Sequence, residues 1–352
     1  MKTVIRADIK SQISDGEITG HYVSVAKNYS DVLKDSYIVR IAGGPTYSKY
    51  FTDAILLKHD TESKKCKIAN QIFTIQNAVE VIKKAKKNIL IFQHNGMMSI
   101  LFALLLSKVD CKVFLIQYYD SVNERKIFSR WLFNAVKKKV TGILCPGENI
   151  GKVFGIPYCV VPDFFYQKNK SLNCTEELPQ DIDFGFYGVI SYDKGVLEAV
   201  RELGQYDCSI VVAGGVGKLD IDKEMIAELL EYAKKNKRVV VDLRFLSTDE
   251  YEGYIKRTRY CVLNYSGVYM NRSSGVIFDA LYARKPVLVK RRELTKFVEE
   301  WNLGFAYDNI DEVNFDFLMR NDVYREYKAN IETYLTEQEV QIEKLIQFIK
   351  EG

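Results

Sequence analysis

The chain has 352 residues, 47% of them apolar and 27% charged, and a formal net charge of +4 at pH 7. This length and apolar content suit two α/β domains with ordinary cores, and six prolines with no low-complexity tract exclude a largely disordered chain. So small a positive charge excludes a strong electrostatic footprint for nucleic acid. Seven cysteines (66, 111, 145, 159, 174, 208 and 261) without CxxC or CxxH spacing exclude a disulfide framework and a structural zinc site.

Residues 1–10 carry Lys2, Arg6, Asp8 and Lys10 in a short apolar stretch, which is not a signal-peptide pattern. The longest apolar run, near 100–106, is far shorter than the roughly 20 residues a membrane span needs. The expectation is a cytoplasmic protein, soluble or peripherally attached to the inner face of the plasma membrane.

In the first half, short β-rich apolar runs predict strands at 3–9, 37–42, 88–93, 112–117, 142–144 and 158–161. Helical patterns lie between them at 22–33, 78–85, 98–106 and 126–138. Residues 124–140 set Arg125, Lys126, Arg130 and Lys137–Lys139 among Ile127, Phe128, Trp131, Leu132 and Phe133. Two readings fit: a basic amphipathic helix in contact with a membrane surface, or a domain helix whose aromatics enter the core. The polar segment 166–181, with Pro179, reads as a linker.

The second half repeats the alternation, with strands at 182–187, 208–213, 238–242, 260–264 and 286–290. Its helices are expected at 193–203, 223–235, 248–256, 275–283 and 294–301, before a long helical tail over 323–350. Runs such as SIVVA and RVVVD are continuously apolar, as a parallel sheet covered on both faces requires. The predicted fold class is α/β, with two Rossmann-like doubly wound domains facing a central cleft. Their expected bounds are 1–165 and 182–330, with 331–352 packing back on the first domain.

The window 245–289 is the richest in chemistry. Asn271-Arg272-Ser273-Ser274-Gly275 opens a helix after a strand, and Asp279 lies one turn in. Free backbone N–H groups and the helix dipole favour a phosphate there, and a carboxylate at 279 is placed to accept from a ribose diol. An ordinary serine cap on a structural helix explains the same letters. Asp181-Ile182-Asp183 spells a DxD, but it opens a core strand with no partnering ligands nearby, so no metal is expected.

An ordered series of motifs decides between these readings. Gly188 is followed by Lys194-Gly195; a strand ends in Ala213-Gly214-Gly215; Arg244-Phe245-Leu246-Ser247 precedes Asp249-Glu250; and Asn271, Asp279 and Ala280 precede Arg284-Lys285-Pro286-Val287. Over residues 182–308 the chain resembles the retaining GT-B glycosyltransferases of the group 1, family 4-like class. The resemblance departs at Asn271, where the family places an acid, at Asp279, where its acid is one methylene longer, and at Val189, where it commonly has arginine. In the first half it extends more faintly to the loop holding Gly16 and Gly20 and to His94-Asn95-Gly96 after a strand.

The resemblance implies a hexosyltransferase-type enzyme acting on a nucleoside-diphosphate sugar, with a saccharide or lipid-linked saccharide as acceptor and no metal or other cofactor. It implies that Lys194 opposes the leaving diphosphate and that His94 positions the sugar. Gly16, Gly20, Gly188, Gly214, Gly215, Phe245, Asn271, Arg272, Ser273, Ser274, Gly275 and Asp279 would bind the donor. The neutral Asn271 motivates an alternative, a catalytically silent partner subunit of the same fold. A dehydrogenase is disfavoured, because no GxGxxG follows the first strand.

Overall fold

The computed structural model describes residues 1–10, 12–14, 17–19, 22–62, 66–93, 96–122, 126–162, 165, 179–271 and 274–352. His94, Gly16, Gly20, Arg272, Ser273 and most of the expected linker lie outside the described residues. The chain divides into two compact units, Met1–Phe165 with Val340–Gly352, and Tyr166–Glu339.

The first unit runs β1 (Thr3–Ala7), β2 (Gln12–Ser14), β3 (Glu17–Thr19), α1 (Tyr22–Leu33), β4 (Ile38–Gly43), β5 (Ile55–Leu56), β6 (Thr61–Glu62), α2 (Lys67–Lys84), β7 (Ile89–Phe92) and α3 (Met97–Leu106). It continues with β8 (Lys112–Ile116), α4 (Lys126–Val136), β9 (Gly142–Cys145), α5 (Glu148–Phe154) and β10 (Tyr158–Val160). Seven strands form a parallel sheet in the order β10-β9-β8-β7-β1-β4-β5, so the chain reverses direction at β1/β7. A small sheet of β3, β2 and β6 stands apart. Its polar strands QIS and EIT carry too little apolar signal to predict.

The second unit comprises β11 (Ile182–Tyr187), α6 (Val196–Leu203), β12 (Ile210–Ala213), α7 (Asp220–Lys235), β13 (Val239–Asp242), α8 (Thr248–Arg257), β14 (Thr258–Leu263) and α9 (Gly275–Tyr282). It ends with β15 (Val287–Lys290), α10 (Lys296–Glu300), β16 (Gly304–Tyr307), α11 (Phe315–Met319) and the long α12 (Asn321–Glu351), which passes into the first unit at Val340. The parallel order β13-β12-β11-β14-β15-β16 reverses at β11/β14. Crevices at the carboxyl ends of such reversals are where doubly wound sheets bind ligands.

Each unit has its own core. Phe184, Phe186, Val200, Ile210, Val212, Tyr260 and Leu288 are buried together in the second. In the first, Val4, Tyr29, Ile91, Phe114 and Leu144 pack with Leu345 and Ile349 from the end of α12. Burying those last two side chains contributes roughly 1.5–3 kcal/mol each. Gly142 permits this docking, because a Cβ there would come within 2.6 Å of the Phe348 ring.

Helix α4 departs from the simple core reading. Leu132 and Phe133 are buried, and Phe133 meets Phe154 edge-on at 5.4 Å, but Phe128 and Trp131 are exposed. The DxD letters make structural bonds. Asp183 accepts from the Ser209 backbone N–H at 2.8 Å, and Asp181 accepts from the Arg257 Nε at 2.8 Å. Among the described residues, no three His, Cys, Asp or Glu side chains group as a metal site requires.

Candidate active site

Three loops meet at the carboxyl ends of β11, β12 and β14. The β11 and β12 loops are joined by Ile190 N–H to the Gly215 carbonyl and Gly217 N–H to the Ile190 carbonyl, both at 2.7 Å. Gly214 allows the approach. Its φ is +147°, and a Cβ would sit 1.8 Å from the Gly188 carbonyl oxygen.

A short 3-10 turn, Tyr192–Lys194, then leads into α6. It is held from three sides. Asp222 accepts the Tyr192 N–H at 2.8 Å, Ser266 N–H donates to the Asp193 carbonyl at 2.7 Å, and the Asn264 amide donates to the Gly195 carbonyl at 3.0 Å. Gly195, at φ +59°, is forced by Asn264, whose carbonyl oxygen would lie 2.3 Å from a Cβ.

This turn aims Lys194 at Gly188, where a Cβ would stand 3.4 Å from the Lys194 Nζ. The lysine is 6% exposed. Its Nζ lies 5.4 Å from the ring centre of Tyr265 and 5.6 Å from that of Tyr269. Among the described residues its ammonium has no hydrogen bond or ion pair. Burial lowers its pKa from 10.5 to about 8, against a smaller opposing influence of Tyr269. A buried cation facing rings but no carboxylate is costly unless an anion joins it.

Arg292, after β15, lies on the same ring. Its guanidinium carbon is 5.2 Å from the Tyr265 ring centre, and Nη1 donates to the Tyr269 carbonyl at 2.6 Å. Tyr265 and Ser274 share a hydroxyl–hydroxyl bond of 2.8 Å, which fixes the residue preceding α9. One turn into α9, Asp279 Oδ2 accepts from the Tyr251 hydroxyl at 2.8 Å. Burial and then Asp279 hold the Tyr251 phenol well above its usual range, so it remains a donor.

At the end of β13, Phe245 is 93% exposed. The loop behind it is braced, since Arg244 bonds Asp242 Oδ1 at 3.0 Å and Glu250 Oε1 at 2.7 Å. Ser247 and Glu250 form a capping box at the start of α8. The Ser247 N–H and then Arg244 pull the Glu250 carboxyl down to about 2.

The structure therefore gathers Gly188, Lys194, Gly214 and Ser274 around the β11/β14 reversal, with Asp279 one turn along α9, while Phe245 lies in the loop after the edge strand β13, two strands away from β11. Gly215 takes part in the loop pairing, Gly275 is the first residue of α9, and Asn271 ends a 3-10 turn, Gly267–Asn271. Tyr251, Asn264, Tyr265, Tyr269 and Arg292 also belong to this cluster, and sequence reasoning did not single them out. The one available signal was the aromatic pair Tyr265 and Tyr269 in the loop after β14.

At the carboxyl end of the first sheet, Asp8 accepts from the Tyr47 hydroxyl at 2.6 Å and the Lys10 N–H at 3.1 Å. Burial and then Asp8 push the Tyr47 phenol far up. Gln93, directly before His94, is buried, and neither of its amide atoms has a hydrogen-bond partner among the described residues.

No protein-family model matches the chain, and no curated protein matches it either. Solved structures do. Anabaena Alr3699/HepE in complex with UDP superposes with a TM-score of 0.70 at 11% identity, over 100% of both chains. The trehalose-6-phosphate synthase OtsA gives 0.74 at 7% identity over 99% of each. A glycosyltransferase from Rickettsia africae gives 0.68 at 13%, over 99% of this chain and 98% of that one. At these identities the likeness shows the fold, the two Rossmann-like units of the GT-B class.

Proposed function

We propose that the chain is a glycosyltransferase that takes a sugar from a nucleoside-diphosphate sugar, a UDP-sugar, at the carboxyl end of its second sheet. The observation that carries this reading is Lys194, a buried cation with no anion beside it among the described residues, aimed at the glycine turn that ends β11. A diphosphate between Lys194, the Gly188 and Gly214 backbones and the start of α9 supplies the missing charge. Asp279, one turn along α9 and bonded by the Tyr251 hydroxyl, is the candidate ribose ligand, and Phe245 offers an exposed ring to the base. That the superposed HepE structure holds UDP supports the choice of nucleotide.

In this reading the anomeric C–O bond to the diphosphate breaks as Lys194 opposes the growing negative charge. The acceptor hydroxyl attacks the same face, so configuration is retained, and its proton passes to the departing phosphate oxygen. His94 positions the sugar, with Gly16 and Gly20 near the phosphates, and no metal or cofactor takes part. The acceptor is a saccharide, free or carried on a lipid, in bacterial surface polysaccharide or glycoconjugate synthesis. The enzyme works in the cytoplasm, in peripheral contact with the membrane through 124–140.

Calorimetric titration with UDP and UDP-sugars tests this reading. Saturable binding is expected, together with release of UDP when saccharide acceptors are supplied. Binding without any transfer would favour the silent partner subunit, and no binding would overturn the nucleotide site itself.

A further inference from the structure

Helix α4 carries apolar residues on two opposite sides. Leu132, Phe133 and Val136 face inward with Ser129, whereas Ile127 (87% exposed), Phe128 (53%) and Trp131 (60%) face solvent. Positions 127, 128 and 131 share one helical face. The ring of Phe128 stacks on Trp131 at 6.1 Å and reaches Phe102 of α3 at 6.3 Å. The last turn of α3 then exposes Leu105 and Leu106 (72%). Five large apolar side chains on two adjoining helices form the kind of patch that soluble proteins keep for a partner.

Charge identifies that partner. Lys108, Arg130 and Lys138 are exposed beside the patch, and neither 97–109 nor 126–147 contains an aspartate or glutamate. Lys139 plays a structural part. Its ammonium donates to the carbonyls of Leu104 at 2.7 Å and Ser107 at 3.0 Å, closing the end of α3 and tying the helices together. A two-fold contact between copies would set these bases against their own images with no acid to offset them. A bilayer with anionic headgroups matches both features, with tryptophan at the interface and lysine and arginine at the phosphates.

We infer that the α3/α4 face of the first unit docks on an anionic lipid surface, with Ile127, Phe128, Trp131, Leu105 and Leu106 entering the interface. The partner deepens the reading of a lipid-carried acceptor and rests on it for purpose, while the surface itself owes nothing to the nucleotide site. Among the described residues no helix is long and apolar enough to span a membrane, so docking is along the surface.

Co-sedimentation with phosphatidylcholine vesicles, with and without 30 mol% phosphatidylglycerol, reads this directly, with UDP titration on the same samples. The full chain should bind the anionic vesicles at least tenfold better than the neutral ones. Ile127→Ser with Trp131→Ser should lose at least tenfold on anionic vesicles and keep its UDP affinity. Equal binding to both vesicle types, or an unaffected double variant, would overturn the inference. So would a wild-type dimer that the double variant abolishes, in a chain that ignores vesicles. Vesicle binding without UDP binding would sink the nucleotide reading and leave this surface standing.

Discussion

Each unit buries a cation near the carboxyl end of its sheet, and the two are kept in different ways. Arg6, on β1, is 1% exposed, and none of its three side-chain nitrogens has a hydrogen-bond partner among the described residues. It lies over the Tyr29 ring of α1, with its guanidinium carbon 4.8 Å from the ring centre. Lys194 likewise has no hydrogen bond or ion pair among the described residues and is similarly backed by rings, but it ends a turn bolted from three sides and aimed at a glycine backbone. Arg6 sits within a strand, where neighbouring side chains close over it. Lys194 ends a turn in the loop after β11, at the sheet reversal where doubly wound sheets take their ligands. The contrast teaches that a missing counter-charge points to a ligand only where the fold also places it at a binding crevice.

The strongest way to break this contrast is to dismantle the turn that Lys194 faces. Gly214→Ala places a Cβ against the Gly188 carbonyl at a positive φ. Overpacking and backbone strain of about 1–3 kcal/mol each predict a loss of about 2–6 kcal/mol in urea unfolding. UDP affinity should fall with it.

Next comes the charge itself. Lys194 has its pKa depressed from 10.5 to about 8 by burial, so between those values the unfolded chain binds more protons than the native one. Stability carried by this residue therefore rises with pH across about 8 to 10.5, by about 3 kcal/mol at most. Cysteines and tyrosines raised by burial titrate in the same range with the opposite sign, so the observable is the difference between wild type and Lys194→Met. The variant should be the more stable protein at pH 7, with its advantage shrinking as pH climbs. A constant difference across that window would contradict the assigned environment.

Arg6→Met sharpens the comparison from the other unit. Replacing an unpaired buried cation by an apolar chain of similar volume is neutral or stabilising, by up to about 4 kcal/mol. Denaturation should show this with UDP affinity unchanged, whereas Lys194→Met should combine stabilisation with lost affinity. The smallest effect is expected for Tyr251→Phe. It removes the donor to Asp279 and should cost about 1–3 kcal/mol, read as lower stability and weaker UDP binding.

Much of the fold was legible because continuous apolar runs mark buried parallel strands. Ile182–Tyr187 and Tyr22–Leu33 carry the bounds their patterns predict, and α2 merely begins earlier than its clearest apolar stretch. The strand Gly304–Tyr307 was missed, being short and opened by a glycine. The site was legible where a motif is local, as in Lys194-Gly195 or the Ser247–Glu250 box. Tyr265, Tyr269 and Arg292 were not, because the tyrosines reach Lys194, and Arg292 reaches the tyrosines, only when the order β11-β14-β15 brings three distant strand ends together. The sequence left two readings of α4 open. Its sequence reads as one amphipathic helix, and only burial separates Leu132 and Phe133 from Phe128 and Trp131.

The central claim is that Lys194 is the counter-charge of a nucleoside diphosphate. UDP affinity of wild type and Lys194→Met, titrated from pH 6.5 to 9.5, tests it most directly. The account predicts wild-type affinity that weakens above pH about 8, as the unliganded lysine loses its proton, and a variant at least a hundredfold weaker whose affinity is flat across that range. A variant that binds UDP as tightly as wild type, with the same pH dependence, would contradict it.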